Sequence, residues 1–218
     1  MSADDLVTIG QKLSISSNDM LSTVSFVSLQ NVDNLDLYDL PNLTDVGWNS
    51  ELANVTDARI SGTGFTDLNW LTTKYVETLE VEDNPFLNNI TLAINSSKYT
   101  SFKSNGPTLL VSLPNLQLAY NLTVSDCQEL NLPSLVYVNR SAGFVGNDFE
   151  ELSIPNLLSI GSTLMLWNNT AVSNLNLPLL VNVSGDIVFH GNPKLQTVDL
   201  PRVSVVEGDI SINDSMTR

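Results

Sequence analysis

Apolar and polar residues alternate in short runs along this chain, and the runs return at a steady interval. Prolines mark it: Pro114, Pro133, Pro155, Pro178 and Pro201 are spaced by 19, 22, 23 and 23 residues. Each follows an alternating pair: Val111-x-Leu113, Leu130-x-Leu132, Leu152-x-Ile154, Leu175-x-Leu177 or Val198-x-Leu200. Two residues past each proline stands Leu116, Leu135, Leu157, Leu180 or Val203. Pro41, with Leu40, Leu43 and Val46, begins another copy. A second pair closes on an asparagine at one fixed spacing: Leu13-x-Ile15-x-x-Asn18, Leu79-x-Val81-x-x-Asn84, Ala142-x-Phe144-x-x-Asn147, Leu164-x-Leu166-x-x-Asn169 and Ile187-x-Phe189-x-x-Asn192.

Runs of period two read as strands, and no copy holds a helical period over ten residues. Repeats of about 20–29 residues with this phrase belong to solenoids. The pattern predicts an all-β, leucine-rich-repeat-like β-solenoid, a right-handed β-helix of about 22–23 residues per coil with little helix. Roughly nine or ten coils fill residues 1–218 as one repeat domain. Strands stacked about 4.8 Å apart make a rod of roughly 50 Å. Asn18, Asn84, Asn147, Asn169 and Asn192 are expected to form an inward structural ladder that satisfies the turns. The prolines are expected to close strands. Gly10, Gly161, Gly185 and Gly208 are expected to supply a positive φ. Register fades over 55–71 and 93–108, so 61–64 and 96–98 read as loops leaving the rod.

Charge narrows the function. With 24 Asp+Glu against 9 Lys+Arg, the net charge is −15, which excludes a phosphate-binding surface for nucleic acid. Hydrophobic residues make up 42%, too many for a disordered chain. Only 15% of residues are charged, so the surface rests on uncharged polar groups, among them 25 Asn, 25 Ser and 17 Thr. The lone cysteine, Cys127, excludes an intrachain disulfide and reads as a small core residue. No apolar run is long enough to span a membrane.

Nine N-x-[ST] sequons stand at Asn42, Asn54, Asn89, Asn95, Asn121, Asn139, Asn168, Asn182 and Asn213. Composition alone yields about five, so heavy N-glycosylation is expected. Asp33, Asp36 and Asp39 share one alternating segment, and Glu80, Glu82 and Asp83 another. Strict alternation sets Asp36 on the face opposite Asp33 and Asp39, so these carboxylates read as a solvated surface rather than a calcium or catalytic cluster. His190, Arg59, Arg140 and Arg202 are scattered, and no hydrolase, zinc or phosphate-loop motif occurs. No catalytic, cofactor-binding or metal-ligating residue is assigned. Trp48, Trp70, Trp167 and Tyr120 are candidates for stacking on sugars.

Several phrases carry a family resemblance. They include Leu157-x-x-Ile160-Gly161-x-x-Leu164-x-Leu166-x-x-Asn169, Ile60-Ser61-Gly62-Thr63-Gly64-Phe65, and Val81-Glu82-Asp83-Asn84-Pro85-Phe86-Leu87. A fourth is Leu195-Gln-Thr-Val198-Asp-Leu200-Pro201-x-Val203. In order and spacing the chain resembles the fungal GPI-anchored cell-wall organisation proteins, which have receptor L-domain-like repeats and include sporulation-specific members. The resemblance implies a secreted, N-glycosylated protein at the outer face of the plasma membrane and in the cell wall. It implies a GPI anchor and a non-enzymatic role in organising the wall or the spore wall. Its partners are then wall polysaccharide or wall and membrane proteins. A receptor-like domain for a peptide or protein ligand is the alternative, and a carbohydrate-active enzyme is a third reading. The chain is expected to be a piece that lacks an N-terminal cap and a C-terminal stalk. Residues 61–64 and 95–103 are the expected contact surfaces.

Overall fold

The computed structural model describes residues 3–48 and 52–213. They form a β-solenoid with no helix. One sheet climbs the whole rod through ten rungs. The first six are continuous strands: Thr8–Ser16, Asn31–Leu40, Asn54–Thr63, Tyr75–Glu82, Ser96–Lys103 and Leu118–Ser125. The last four are each split in two. Tyr137–Val138 runs with Ala142–Val145, Ser159–Ile160 with Leu164–Trp167, Asn182–Val183 with Ile187–His190, and Val205–Val206 with Ile210–Asn213. An inserted residue makes the split: Ala119 pairs Val138 and Leu122 pairs Ala142, so a gap of two becomes a gap of three. Successive rungs pair in parallel.

A second side of each coil carries shorter strands, such as Glu151–Ser153, Asn174–Asn176 and Thr197–Asp199. Pro114, Pro133, Pro155, Pro178 and Pro201 follow these strands, at the second position of a turn, whereas Pro41 follows the long rung Asn31–Leu40 and so does not share their place in the coil. The N–H of Leu116 donates to the carbonyl of Leu113 at 3.2 Å, and that of Leu180 to Leu177 at 3.2 Å. Proline's fixed φ suits that position, and its missing N–H costs nothing there. Inward positions stack like on like. Leu37, Ile60, Val81, Phe102, Val124, Phe144, Leu166 and Phe189 form one buried column. Each such side chain contributes about 1.5–3 kcal/mol by leaving water.

One inward column is polar from Thr63 onward. Up the rungs it holds Asn18, Leu40, Thr63, Asn84, Asn105, Cys127, Asn147, Asn169 and Asn192. Asn169 displays the unit. Its Oδ1 accepts from the backbone N–H and the Nδ2 of Asn147, both at 2.9 Å. Its Nδ2 donates to the carbonyls of Phe144 at 3.0 Å and Trp167 at 3.2 Å, and to Oδ1 of Asn192 at 3.2 Å. Asn84, Asn147, Asn169 and Asn192 are thus brought together with Asn105, and all five are buried. Asn18 stands apart: it is exposed, its rung neighbour is Leu40, and its Oδ1 accepts from the N–H of Met20 at 3.1 Å.

The residue before each column position turns left-handed. Ser17, Asp39, Gly62, Asp83, Ser104, Asp126, Gly146, Asn168 and Gly191 have φ between 51° and 69°, and no other described residue has a positive φ. Gly, Asn and Asp tolerate that region best, which explains their frequency one step before the ladder. Gly10, Gly161, Gly185 and Gly208, expected at positive φ, are not there. Three of them permit close packing of coils instead. A Cβ on Gly161 would strike the backbone carbonyl of Asn139, and one on Gly185 would lie 2.8 Å from the carbonyl carbon of Ser162. One on Gly208 would lie 2.7 Å from the carbonyl carbon of Gly185. A Cβ on Gly10 would meet nothing.

The two segments expected to loop away do not. Asn54–Thr63 and Ser96–Lys103 are rungs in register with their neighbours, and only Gly64 lies beyond the strand. The apolar alternation fades there because inward positions are polar and satisfied inside the rod. Thr100 Oγ1 donates to Ser97 Oγ at 2.7 Å, and Thr63 Oγ1 to Asn84 Oδ1 at 2.6 Å.

Cys127 fills a ladder position. It is fully buried, its Sγ donates to the carbonyl of Glu129 at 2.8 Å, and its N–H donates to Asn147 Oδ1 at 3.0 Å. Burial pushes its thiol up to about 11, against about 8.5 in an unfolded chain. A raised folded value means that stability is full below about pH 8.5 and is lost as pH climbs toward 11.

Two outcomes follow for stability. Asn169→Ala is expected to lose about 2–4 kcal/mol in urea unfolding, because several buried groups lose partners at about 1–3 kcal/mol each. Asn18→Ala is expected to lose about 0.5 kcal/mol; equal losses would contradict the ladder. Between pH 8.5 and 11 the native chain is expected to lose more stability than Cys127→Asn, which supplies the column's usual side chain. Parallel pH curves for the two proteins would contradict the buried thiol's role.

Candidate functional site

The outer face of the long sheet carries a cluster of charged side chains and four of the chain's five tyrosines. Each strand turns a corner partway along. In Asn31–Leu40 both Asp33 and Asn34 are exposed, Leu35 is buried, and Asp36 emerges again on the outside. Asp33 and Asp36 therefore share the outer side, and Asp39 lies in the left-handed turn beyond. Strict alternation misplaced Asp36 because two consecutive residues face out at the corner.

Asp36 lies in a groove of about 390 Å³ that crosses the first four rungs, lined by Lys12, Asn34, Asp57, Arg59, Thr78 and Glu80. Lys12 Nζ is 2.7 Å from Asp36 Oδ2. Asp36 is only 9% exposed, and its Oδ1 has no hydrogen-bond partner among the described residues. The Arg59 guanidinium lies 5.7 Å from the centre of the Tyr38 ring. One wall of the groove is a register column, Lys12, Asn34, Asp57 and Thr78, and it continues up the rod as Tyr99 and Asn121.

Where the groove ends, an aromatic shelf begins. It gathers four of the chain's five tyrosines. Tyr75, Tyr99 and Tyr137 are 47%, 49% and 47% exposed. Tyr99 and Tyr120 meet edge to face, 6.0 Å between centres. The Arg140 guanidinium sits 5.5 Å from the centre of the Tyr120 ring, and its Nε donates to Tyr120 Oη at 3.0 Å. Lys98 Nζ lies 2.7 Å from Glu77 Oε1, and Tyr75 Oη donates to the same oxygen at 3.3 Å. The hydrogen bond from Lys98 lowers the Glu77 carboxyl, that bond raises the Lys98 ammonium, and Tyr120 raises Arg140 further. Lys98 is thus paired with a carboxylate, while Arg140 rests on the neutral Tyr120 and keeps its charge. Tyr75 and Tyr137 share the column Tyr75, Ser96, Leu118 and Tyr137, three rungs apart, and Tyr99 lies in another column; only the register shows these places.

The other stacking candidates lie elsewhere. Trp48 is buried and packs edge-on against the part-buried Trp70, centres 4.7 Å apart, so neither offers a free face. Trp167 is 38% exposed and packs over His190 of the next coil, centres 4.5 Å apart. Among the described residues no three of His, Cys, Asp and Glu gather to hold a metal ion. No helix among them is long and apolar enough to cross a membrane.

Every sequon asparagine reaches the surface. Asn42, Asn54, Asn95, Asn139, Asn168 and Asn213 are exposed, and Asn89, Asn121 and Asn182 are half-buried. Ser215, which completes the last sequon, lies outside the described residues. Asn95, Asn121 and Asn139 adjoin shelf residues in the chain.

Similarity to known proteins covers most of the chain. It is 30% identical over 166 residues to Sporulation-specific protein 2 of Saccharomyces cerevisiae, covering 75% of this chain and 33% of that protein. It is 32% identical over 177 residues to a cell surface GPI-anchored protein of Arthroderma benhamiae, covering 80% and 46%. With protein ecm33 of Aspergillus fumigatus it shares 29% identity over 157 residues, covering 71% and 39%. The matched part thus spans between a third and a half of each of these relatives. No protein-family profile matches the chain. No solved structure matches it.

Proposed function

We propose that this chain, a member of the fungal family of GPI-anchored cell-surface and cell-wall proteins, is a non-enzymatic glycoprotein that supports organisation of the cell wall or the spore wall. It acts at the outer face of the plasma membrane and in the wall, where the rod holds wall polysaccharide or wall and membrane proteins against its outer face. The names of its relatives, which include a cell wall mannoprotein and two sporulation-specific proteins, support that setting.

One observation carries the reading: the buried ladder asparagines and the sequon asparagines are different sets. The five buried ladder asparagines start no sequon, while all nine sequon asparagines reach the surface, where Asn42, Asn54, Asn121 and Asn182 also bond between coils. The second set suits a rod whose surface is clothed in sugar and is poor in Lys and Arg. The non-enzymatic role is supported by the lack of convergence among titratable side chains. In the groove Asp36 is paired with Lys12, and Arg59 lies toward the Tyr38 ring.

Endoglycosidase treatment of the protein from its own cells tests the reading. A fall in mass by several glycans is expected, together with wall-stress or spore-wall defects when the gene is deleted. An unchanged mass would overturn the cell-surface assignment, and an intact wall in the deletion strain would overturn the organising role.

A further inference from the structure

We infer that the outer groove and the tyrosine shelf form one continuous binding track for a neutral, linear polysaccharide laid along the rod axis. The inference rests on the wall-polymer reading above and specifies its ligand and its site. Continuity comes from the register. The column Lys12, Asn34, Asp57, Thr78, Tyr99 and Asn121 runs unbroken from groove to shelf. Parallel rungs recur about every 4.8 Å along the axis. A surface that repeats along one direction is matched by a ligand that repeats along the same direction, which a polymer strand does.

Chemistry selects the polymer. The half-exposed rings of Tyr75, Tyr99 and Tyr137 offer apolar faces with hydroxyl edges, as does Tyr120 beside them. A pyranose has the complementary build, with C–H faces and a hydroxyl rim. Charge weighs against the ionic alternatives. Lys98 is paired with the Glu77 carboxylate, while Arg140 keeps its charge and donates only to the neutral Tyr120 hydroxyl, too little positive charge to hold a polyanion along the track. In the groove Lys12 and Arg59 stand against Asp36, Asp57 and Glu80, a near balance. A net charge of −15 repels polyanions over the whole surface. Asp36 is nine-tenths buried in the groove, and its Oδ1 lacks a donor among the described residues.

A protein partner fits less well. A stable protein interface needs about 800 Å² on each side. Sequons at Asn95, Asn121 and Asn139 border the shelf, and glycans there narrow it to a strip. Asn121 pairs with Tyr99 in the register, so a glycan on Asn121 can itself cover the shelf. The test therefore uses the protein both before and after glycan removal.

The experiment is co-sedimentation with insoluble β-1,3-glucan and with chitin, using soluble polygalacturonate as the polyanion in affinity electrophoresis. The native chain is expected to bind at least one neutral polymer and not the polyanion. Tyr99→Ala with Tyr120→Ala is expected to weaken binding at least about tenfold, since two stacked rings are removed. Trp167→Ala should bind like the native chain. If the double variant unfolds, Tyr99→Leu keeps apolar bulk while removing the ring, and the same weakening is expected. Binding seen only after deglycosylation supports the track and assigns its cover to the chain's own glycans. Undiminished binding by the tyrosine variants, preference for the polyanion, or no binding in either form overturns the inference. A wall-located glycoprotein that binds no polymer sinks this inference alone. An unglycosylated protein that still binds glucan sinks the wall reading alone.

Discussion

The structure depends on how each coil leaves the long sheet. One residue turns left-handed, and the next points its side chain inward. That geometry leaves backbone groups facing the interior, where an unmet donor or acceptor costs about 1–3 kcal/mol. An asparagine meets both needs at once, because one amide carries an acceptor and two donors. Asn84, Asn105, Asn147, Asn169 and Asn192 do this across to neighbouring coils, and Asn84 and Asn169 also bond a carbonyl of their own coil. The ladder pins register in a way that apolar stacking alone does not, since a slipped coil would strand several buried polar groups together.

Function inherits that register. The outer columns line up because the inner ones do. Lys12, Asn34, Asp57, Thr78 and Tyr99 are far apart in sequence, yet they form one line on the surface. A rod of this kind offers extended lines rather than an enclosed pocket. A narrow, repeating ligand or a lattice of wall components matches such a surface better than a compact substrate does. Relatives named for the cell surface and the wall agree with that shape.

Much of the fold was legible because its period is written twice, once in apolar pairs and once in asparagines. The gaps in legibility have physical causes. Asn105 was missed because Thr100 stands where the phrase calls for an apolar residue, although Thr100-x-Phe102-x-x-Asn105 keeps the spacing. Cys127 is the buried core residue the sequence suggests, but its place in the ladder is hidden because Leu122-x-Val124-x-x-Cys127 ends on sulfur, which donates where an amide usually does. The glycines at 161, 185 and 208 were noticed for the wrong reason, since coil-to-coil contact leaves no trace in a single repeat. The shelf was hidden most completely. Tyr75, Tyr99, Tyr120 and Tyr137 share no common spacing; the register brings Tyr99 against Tyr120 and sets Tyr75 and Tyr137 in one column, three rungs apart.

Amide hydrogen exchange, read residue by residue, tests the central claim that the ladder holds the coils in register. The N–H groups of Asn147 and Asn169 donate to side chains rather than to strand carbonyls. The account predicts that they exchange only with global unfolding, among the slowest in the chain. Exchange at those two amides as fast as at Met20, which is exposed and bonded to Asn18 alone, would contradict it.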